Sequence, residues 1–107
     1  METCVFCKII AKQIPASPVL ETDSVIVIKD INPQAPIHYL IIPKKHIVSV
    51  AHLTESDTQI ASDLLLVAQK LSEIDSRHAS FQLISNNGAP AGQVVFHLHI
   101  HFLAGKR

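Results

Sequence analysis

The sequence predicts an α+β domain in which an antiparallel sheet packs against one dominant helix. Two observations support this class. Short runs rich in β-branched residues lie on both sides of one long amphipathic segment, and turn-forming residues separate these runs. The chain has 107 residues, of which 48% are hydrophobic, and no linker or internal repeat divides it. We therefore expect residues 1–107 to form a single domain.

Two helices and five strands are predicted in order along the chain. Residues 6–11 suit a short helix that ends before Ile14 and Pro15, because proline cannot continue the helical hydrogen-bond ladder. The long helix begins near Thr54, where Asp57 completes a pattern that resembles a capping box. Its apolar face is formed by Ile60, Leu64, Val67, Leu71 and Ile74. The candidate strands are residues 19–21, 25–28, 38–42, 81–85 and 94–103.

Charge and hydropathy exclude several classes of partner. Nine basic side chains balance nine acidic ones, so no broad positive field is available to hold a nucleic acid polymer or an anionic membrane surface. No apolar run reaches the roughly 18 residues that a membrane helix needs, and the N-terminal residues lack the features of a signal peptide. We expect a cytoplasmic protein with a small ligand.

The most informative segment contains three histidines that alternate with apolar residues, from His97 to Leu103. A strand over residues 94–103 would place the three imidazoles on one face, about 6.5 Å apart, while the apolar side chains enter the core. Imidazole has an ordinary pKa near 6.5, so at neutral pH it keeps a lone pair that can attack phosphorus. One row of rings can thus supply a nucleophile, a stabilising cation and an acid, without a catalytic metal.

Spacing alone leaves two other interpretations of this segment open. The histidines could form a solvated strand face with no function. Alternatively, the pattern His-x-His with a third histidine nearby could hold a catalytic zinc that activates water.

Both cysteines fall in one unit, Cys4-Val5-Phe6-Cys7. In a reducing compartment this spacing is typical of a metal site or a redox pair, and free buried thiols are a third possibility. A redox pair like that of thioredoxin should follow a strand, but only three residues precede Cys4. The metal interpretation is therefore favoured.

Three segments together resemble the nucleotide-binding, Hint-like branch of the histidine triad superfamily. They are the histidine row, Asp30-Ile31-Asn32-Pro33-Gln34-Ala35-Pro36 and Ile42-Pro43-Lys44-Lys45-His46. Their order and separation agree with the family over nearly the whole chain. The resemblance implies a five-stranded antiparallel sheet with one long and one short helix, and a homodimer whose two sheets join. It also implies hydrolysis of purine nucleoside 5'-phosphoramidates through a nucleotidylated histidine.

The resemblance assigns roles to the polar residues of the site. It makes His99 the nucleophile, His101 a phosphate-binding neighbour and His38 a further member of the catalytic cluster. Asp30 would accept hydrogen bonds from the ribose hydroxyls, for which one carboxylate suffices. The alternative for Asp30 is an Asx-type turn ahead of Asn32.

The remaining nucleotide contacts also follow from the resemblance. It places phosphate contacts at Asn86, Gly92, Gln93 and Val94, although an ordinary loop would have the same composition. It places the base pocket at Phe6, Ile9, Ile14 and Ile28, which by their residue types alone suit the core. Two positions depart from the better-known members. Val94 replaces a serine whose hydroxyl contacts the phosphate or leaving group, and Ile28 replaces an aromatic residue of the base pocket.

The resemblance further implies a structural zinc bound by Cys4, Cys7, His46 and His97. Two thiolates and two imidazoles suit tetrahedral zinc, and such a site would tie the N-terminal helix to the sheet. A metal-bound His97 would not exchange protons, so it would brace His99 instead.

Two other functions stay open on the sequence. One is a dinucleoside polyphosphate hydrolase or nucleotidyltransferase that uses the same histidine. The other is a purine-nucleotide-binding regulatory module with little catalysis, which the replacement of serine by Val94 makes plausible.

Overall fold

The predicted α+β class is confirmed in a computed structural model that describes residues 3–105. Five antiparallel strands form one sheet in the order β1-β2-β3-β5-β4. The strands are β1 (Leu20–Glu21), β2 (Val25–Lys29), β3 (Ile37–Pro43), β4 (Phe81–Ile84) and β5 (Ile100–Ala104). The helices are α1 (Val5–Ile10) and α2 (Thr58–Ile74). Because β5 pairs with both β3 and β4, it is an interior strand of the sheet.

The two faces of the sheet carry different helices. Strand side chains alternate between the faces, so Val25 and Val27 pack under α2 whereas Ile26 between them packs under α1. In α2, Leu64, Val67 and Leu71 cover the first face. Ile74, which the helical pattern placed on the same face, is 54% exposed because it is the last residue of the helix.

The long helix begins as its sequence predicted. Thr54 and Asp57 form the capping box, in which the Asp57 carboxylate accepts the Thr54 backbone N–H at 3.0 Å. One 3₁₀ turn, Glu55–Asp57, separates Thr54 from the first residue of α2. The Lys45 ammonium lies 2.6 Å from the other Asp57 oxygen, and both contacts lower the pKa of Asp57. The cap therefore also connects α2 to the segment after β3.

The last strand is shorter than predicted, since it begins at Ile100 instead of residue 94. The ladder with β3 ends at the pair Ile41 and Ile100. Pro43, the last residue of β3, has no N–H that could continue this ladder. The Leu98 N–H instead donates to the Ile47 carbonyl at 2.6 Å. His97 and His99 thus precede β5, and only His101 lies within it.

The alternation of side chains nevertheless continues through residues 97–103. Leu98 and Phe102 enter the core under α2, and Ile100 packs against that core. The three histidines point to the other face, where α1 lies. In the described residues 3–105, no helix combines the length and apolar character that crossing a bilayer requires.

Candidate active site and metal centre

A cleft of about 520 Å³ lies on the α1 face of the sheet. Its apolar wall is formed by Val5, Phe6, Ile9, Ile28, Leu40 and Val95. Asp30, His99 and His101 supply polar groups. The rest of the lining is formed by Lys29, Ile31, Asn32, Gln34, Gly92 and Val94. Eight of the predicted site residues are therefore brought together in one cavity. Val5, Leu40 and Val95 were missed, since their apolar side chains resemble those of core residues. Lys29, Ile31, Asn32 and Gln34 also line the cleft and were not predicted as site residues.

His99 is held by its own segment of chain. Its Nδ1 lies 2.8 Å from the His97 carbonyl oxygen, which can only accept a hydrogen bond. Nδ1 therefore carries a proton, and in the neutral ring Nε2 keeps its lone pair. The ring is buried and packs edge-on against Phe6 at a centroid distance of 5.3 Å. This geometry leaves Nε2 as the nitrogen with an available lone pair.

A second group of polar side chains adjoins His99. His38 Nε2 lies 2.9 Å from His101 Nδ1 and 3.4 Å from an Asp30 carboxylate oxygen. Burial lowers the pKa of His101, and the neighbouring His99 and His38 lower it further, against an opposing effect of Asp30. His101 therefore favours its neutral form at neutral pH. His38 is buried beside it and does not line the cleft.

Asp30 makes the turn that its sequence context suggested and also reaches the cleft. One carboxylate oxygen accepts the Asn32 backbone N–H at 2.7 Å, which is the predicted Asx-type turn. The other oxygen faces the histidines. The turn fixes the orientation of the carboxylate, so the same residue can serve both purposes.

The side chains of Asn86 and Gln93 shape the loop before β5, where the resemblance had placed phosphate contacts at Asn86 and at the backbone around Gly92, Gln93 and Val94. Gln93 is buried, and its amide accepts the Gly88 N–H at 2.8 Å and donates to the Val48 and Val95 carbonyls. Asn86 donates to the Ala91 carbonyl at 3.1 Å. The Asn86 side chain is thus engaged within the loop, the Gln93 side chain also bonds to the segment after β3, and neither lines the cleft.

Of the four residues predicted to contact phosphate, Gly92 and Val94 line the cleft, and Val95 lies beside them in its wall. Gly92 has a φ of 97°, which a residue with a side chain rarely adopts. Val94 is 84% exposed at the edge of the cavity. Ile14, the remaining predicted pocket residue, lies beside a neighbouring cavity of about 270 Å³ that is also lined by Ile9 and Ile26.

The predicted metal ligands form a compact cluster next to the cleft. One ligand atom from each of Cys4, Cys7, His46 and His97 lies within 4.8 Å of the others. The Sγ atoms of Cys4 and Cys7 lie 3.3 and 3.6 Å from His97 Nδ1, and Cys7 Sγ lies 3.2 Å from His46 Nδ1. These four residues could hold a metal ion.

The ring of His97 is oriented for coordination. Its Nε2 donates to the Pro43 carbonyl at 2.8 Å, so Nδ1 presents a lone pair to the two sulfurs. A hydrogen bond from the far nitrogen to a carbonyl is the usual support of a metal-binding histidine. Burial lowers the pKa of His97, and burial together with Cys4 raises the pKa of Cys7. A cation would stabilise the thiolates.

The two cysteines lie at the N-terminal end of α1. Cys4 caps the N-terminus of α1, where its sulfur accepts the Cys7 backbone N–H at 3.4 Å. Both cysteines have free thiols and face two imidazoles. Soft sulfur and imidazole nitrogen are the donor set that zinc prefers, so the residues present fit this metal.

Comparison with known proteins agrees with this geometry. Residues 3–107 match the family described as "Scavenger mRNA decapping enzyme C-term binding". An uncharacterized HIT-like protein of Synechocystis is 44% identical over 105 residues, which are 98% of this chain and 92% of that protein. The chain belongs to the histidine triad (HIT) family. The resemblance seen in the sequence is thereby confirmed.

Solved HIT structures have the same fold. A HIT family hydrolase from Clostridium thermocellum superimposes with a TM-score of 0.94 at 48% identity, covering 99% of this chain and 93% of that one. A histidine triad nucleotide-binding protein from Candida albicans gives a TM-score of 0.88 at 34% identity, covering 98% of this chain and 76% of that one.

Proposed function

We propose that this HIT protein hydrolyses purine nucleoside 5'-phosphoramidates at the α-phosphate, with His99 as the nucleophile. The observation that carries the proposal is the hydrogen bond from His99 Nδ1 to the His97 carbonyl, which leaves Nε2 with a lone pair beside a nucleotide-sized cleft. The relatives described as a hydrolase and as a nucleotide-binding protein agree with it.

The reaction would proceed in two displacements. His99 Nε2 attacks the α-phosphorus, the P–N bond to the amine breaks, and the amine leaves with one proton from the medium. Water then attacks the same phosphorus, the bond to Nε2 breaks, one proton is released, and the nucleoside monophosphate departs. While the nucleotide is covalently attached to Nε2, the imidazole of His99 is cationic. Its Nδ1–H donates to the His97 carbonyl, which stabilises that charge.

The other cleft residues would bind and orient the nucleotide. The Asp30 carboxylate oxygen that the Asx turn leaves available can accept from the ribose hydroxyls. The apolar wall around Phe6, Ile9 and Ile28 can take the purine ring. His101 lies next to His99, with ring centroids 5.2 Å apart, and can donate to a phosphoryl oxygen.

We further propose that Cys4, Cys7, His46 and His97 bind a structural zinc. The bound ion would supply a cross-link between α1 and the sheet, and no chemical step would pass through it. His97 connects this site to catalysis, because the carbonyl of this ligand residue accepts the proton of His99 Nδ1. The position of the nucleophile would then depend on the metal-bound residue.

A homodimer is also proposed, with β4 as its contact strand. β4 is at the edge of the sheet, and its apolar side chains Phe81, Leu83 and Ile84 are all partly exposed. An apolar edge strand favours pairing with another strand. A second copy of this chain, paired through β4, would extend the sheet and cover these side chains.

The central proposal is tested by trapping the intermediate. The protein is mixed with adenosine 5'-phosphoramidate, quenched at alkaline pH, and examined by peptide mass spectrometry. We expect adenylate on His99 in the wild type, and at least a roughly 10³-fold loss of kcat in His99→Ala. The control is His52→Ala, which removes an exposed histidine that pairs with Ser49 outside the cleft.

Full activity of His99→Ala would exclude the nucleophile assignment. Turnover of a dinucleoside polyphosphate in preference to the phosphoramidate would favour the alternative hydrolase. Binding of AMP without turnover of either substrate would favour the regulatory module.

A further inference from the structure

A backbone N–H of the loop before β3 points at the ring of His38. The Gln34 N–H lies 2.9 Å from His38 Nδ1. Because an amide N–H can only donate, Nδ1 must be the nitrogen with the lone pair, and the proton of the neutral ring must lie on Nε2. His38 is buried, with 6% of its surface exposed. The loop backbone therefore sets the tautomer of a buried histidine.

This tautomer in turn determines that of His101. His38 Nε2 lies 2.9 Å from His101 Nδ1. Since His38 Nε2 carries the proton, His101 Nδ1 must accept the hydrogen bond. A neutral His101 consequently carries its own proton on Nε2, the nitrogen that His38 does not use. His101 is the ring that lines the cleft beside His99.

We propose that the Gln34 N–H is a positioning group that fixes His101 as a neutral hydrogen-bond donor to the α-phosphate. This inference rests on the proposed hydrolase function. A ring that donates while uncharged can stabilise the phosphoryl oxygens without a second cation beside His99, which itself becomes cationic when it bonds to phosphorus. Without the Gln34 N–H, the pair could adopt the opposite tautomers, and His101 Nε2 would present a lone pair that repels those oxygens.

The same amide makes the cluster of Asp30, His38 and His101 unsuitable for a metal. Their ligand atoms lie close enough for one ion. A metal on His38 Nε2 would use the lone pair there and move the ring proton to Nδ1, directly against the Gln34 N–H. His97 is the opposite case, since its far nitrogen donates to the Pro43 carbonyl. The Pro43 carbonyl thus suits the cluster around His97 to a metal, and the Gln34 N–H suits the cluster around His38 to substrate.

The test compares a protein that lacks the backbone N–H at position 34 with a reference variant that retains it. Gln34→Ala keeps the amide but loses the Gln34 side chain, which lines the cleft and donates to the Asn32 carbonyl. Its ester counterpart, with lactic acid incorporated at position 34, differs from Gln34→Ala by the N–H alone. Gln34→Pro also removes the N–H, but it restricts φ, so the ester keeps the experiment decisive if the proline variant does not fold.

Two readouts are compared between the ester and Gln34→Ala. For adenosine 5'-phosphoramidate, we expect kcat of the ester to be about 10- to 100-fold lower, with KM within about twofold, because the donor acts in the transition state. Long-range ¹⁵N NMR of the histidine rings should show His38 as the Nε2–H tautomer in wild type and Gln34→Ala, and a mixture in the ester. Zinc beyond one equivalent should inhibit the ester more strongly than Gln34→Ala.

The inference is overturned if His38 of the wild type is the Nδ1–H tautomer, or if kcat and the tautomers are the same in the ester and Gln34→Ala. Failure of the proposed function is distinguished because the NMR readout needs no substrate. A wild type with the expected tautomers that hydrolyses no phosphoramidate contradicts both the hydrolase proposal and the donor role of His101, while the effect of Gln34 on the ring remains established.

Discussion

The histidines of this protein differ because different backbone groups hold their rings. His99 and His97 both donate to carbonyl oxygens, but through opposite nitrogens, Nδ1 in His99 and Nε2 in His97. His38 instead accepts from an amide N–H. Histidine is therefore proposed here in three roles: His99 as the nucleophile, His97 as a metal ligand, and His38 as the residue that sets the tautomer of His101. At this scale the hydrogen-bond partner, more than the residue type, determines the chemistry.

Asp30 gives a prediction at the scale of one residue. Asp30→Asn keeps an oxygen for the Asn32 N–H but removes the charge that would bind the ribose hydroxyls. We expect the affinity for AMP to fall about tenfold, because hydrogen bonds to charged groups contribute about 1.5–3 kcal/mol. The preference for AMP over 2'-deoxy-AMP should disappear at the same time.

Isothermal titration with both nucleotides measures these affinities. Asp23→Asn, in the turn between β1 and β2, is the matched control and should bind as the wild type does. If Asp30→Asn retains the wild-type preference for the ribonucleotide, the carboxylate does not bind the ribose.

Among the elements, α1 depends most on contacts with the rest of the chain. It has six residues, fewer than an isolated helix needs for stability in water. Phe6 anchors it in the core beside Ile26, Leu40 and Ile42. Its two cysteines contact His46 and His97, which lie far away in the sequence. The helix thus covers one side of the cleft only when both sets of contacts form.

Loss of a metal ligand should therefore destabilise α1. We expect about one zinc per chain in the wild type and clearly less in Cys7→Ser, with Tm lower by roughly 10 °C. The comparison variant is Ala11→Ser, which adds a hydroxyl to an exposed residue at the end of the same helix. Elemental analysis and thermal denaturation provide the two measurements.

A wild-type protein purified without chelators that contains clearly less than one zinc per chain would contradict this prediction. A Cys7→Ser variant with unchanged zinc content would show that the ion binds elsewhere.

Over the whole molecule, one face of the sheet forms the main core and the other carries the candidate functional sites. The α2 face contains the larger apolar core, including Val27, Ile41, Leu71 and Phe102. The α1 face contains the cleft and the cysteine–histidine cluster, both next to the segment that enters β5. Because β5 pairs with β3 on one side and β4 on the other, it gives these groups a rigid support. The apolar edge at β4 is where the proposed dimer would form.

The proposed dimer gives a prediction at this scale. Leu83→Lys places a charge on the edge strand, where it should prevent pairing with a second β4. We expect the wild type to elute with twice the mass of the 11.7 kDa chain and the variant with the mass of one chain. Size-exclusion chromatography with light scattering measures both masses.

Leu66→Lys is the control, because it charges a similarly apolar, exposed position on α2 beside the β1–β2 turn. Dissociation by Leu66→Lys but not by Leu83→Lys would move the contact from β4 to the helix.

The sequence by itself determined the fold class, the helix cap at Thr54 and Asp57, and the separation of the histidines from Leu98 and Phe102. These features depend on the types and spacing of residues that are close together in the sequence, so they can be predicted from it. It did not determine that β5 starts at Ile100, that the Gln93 side chain is engaged within its loop, or that Ile14 lies outside the cleft. Nor did it determine the ring tautomers. The tautomers depend on which backbone group meets each ring: a nearby one for His99 and His38, and a distant one, the Pro43 carbonyl, for His97. Every residue type carries a carbonyl, so only the folded structure decides which one meets a given ring.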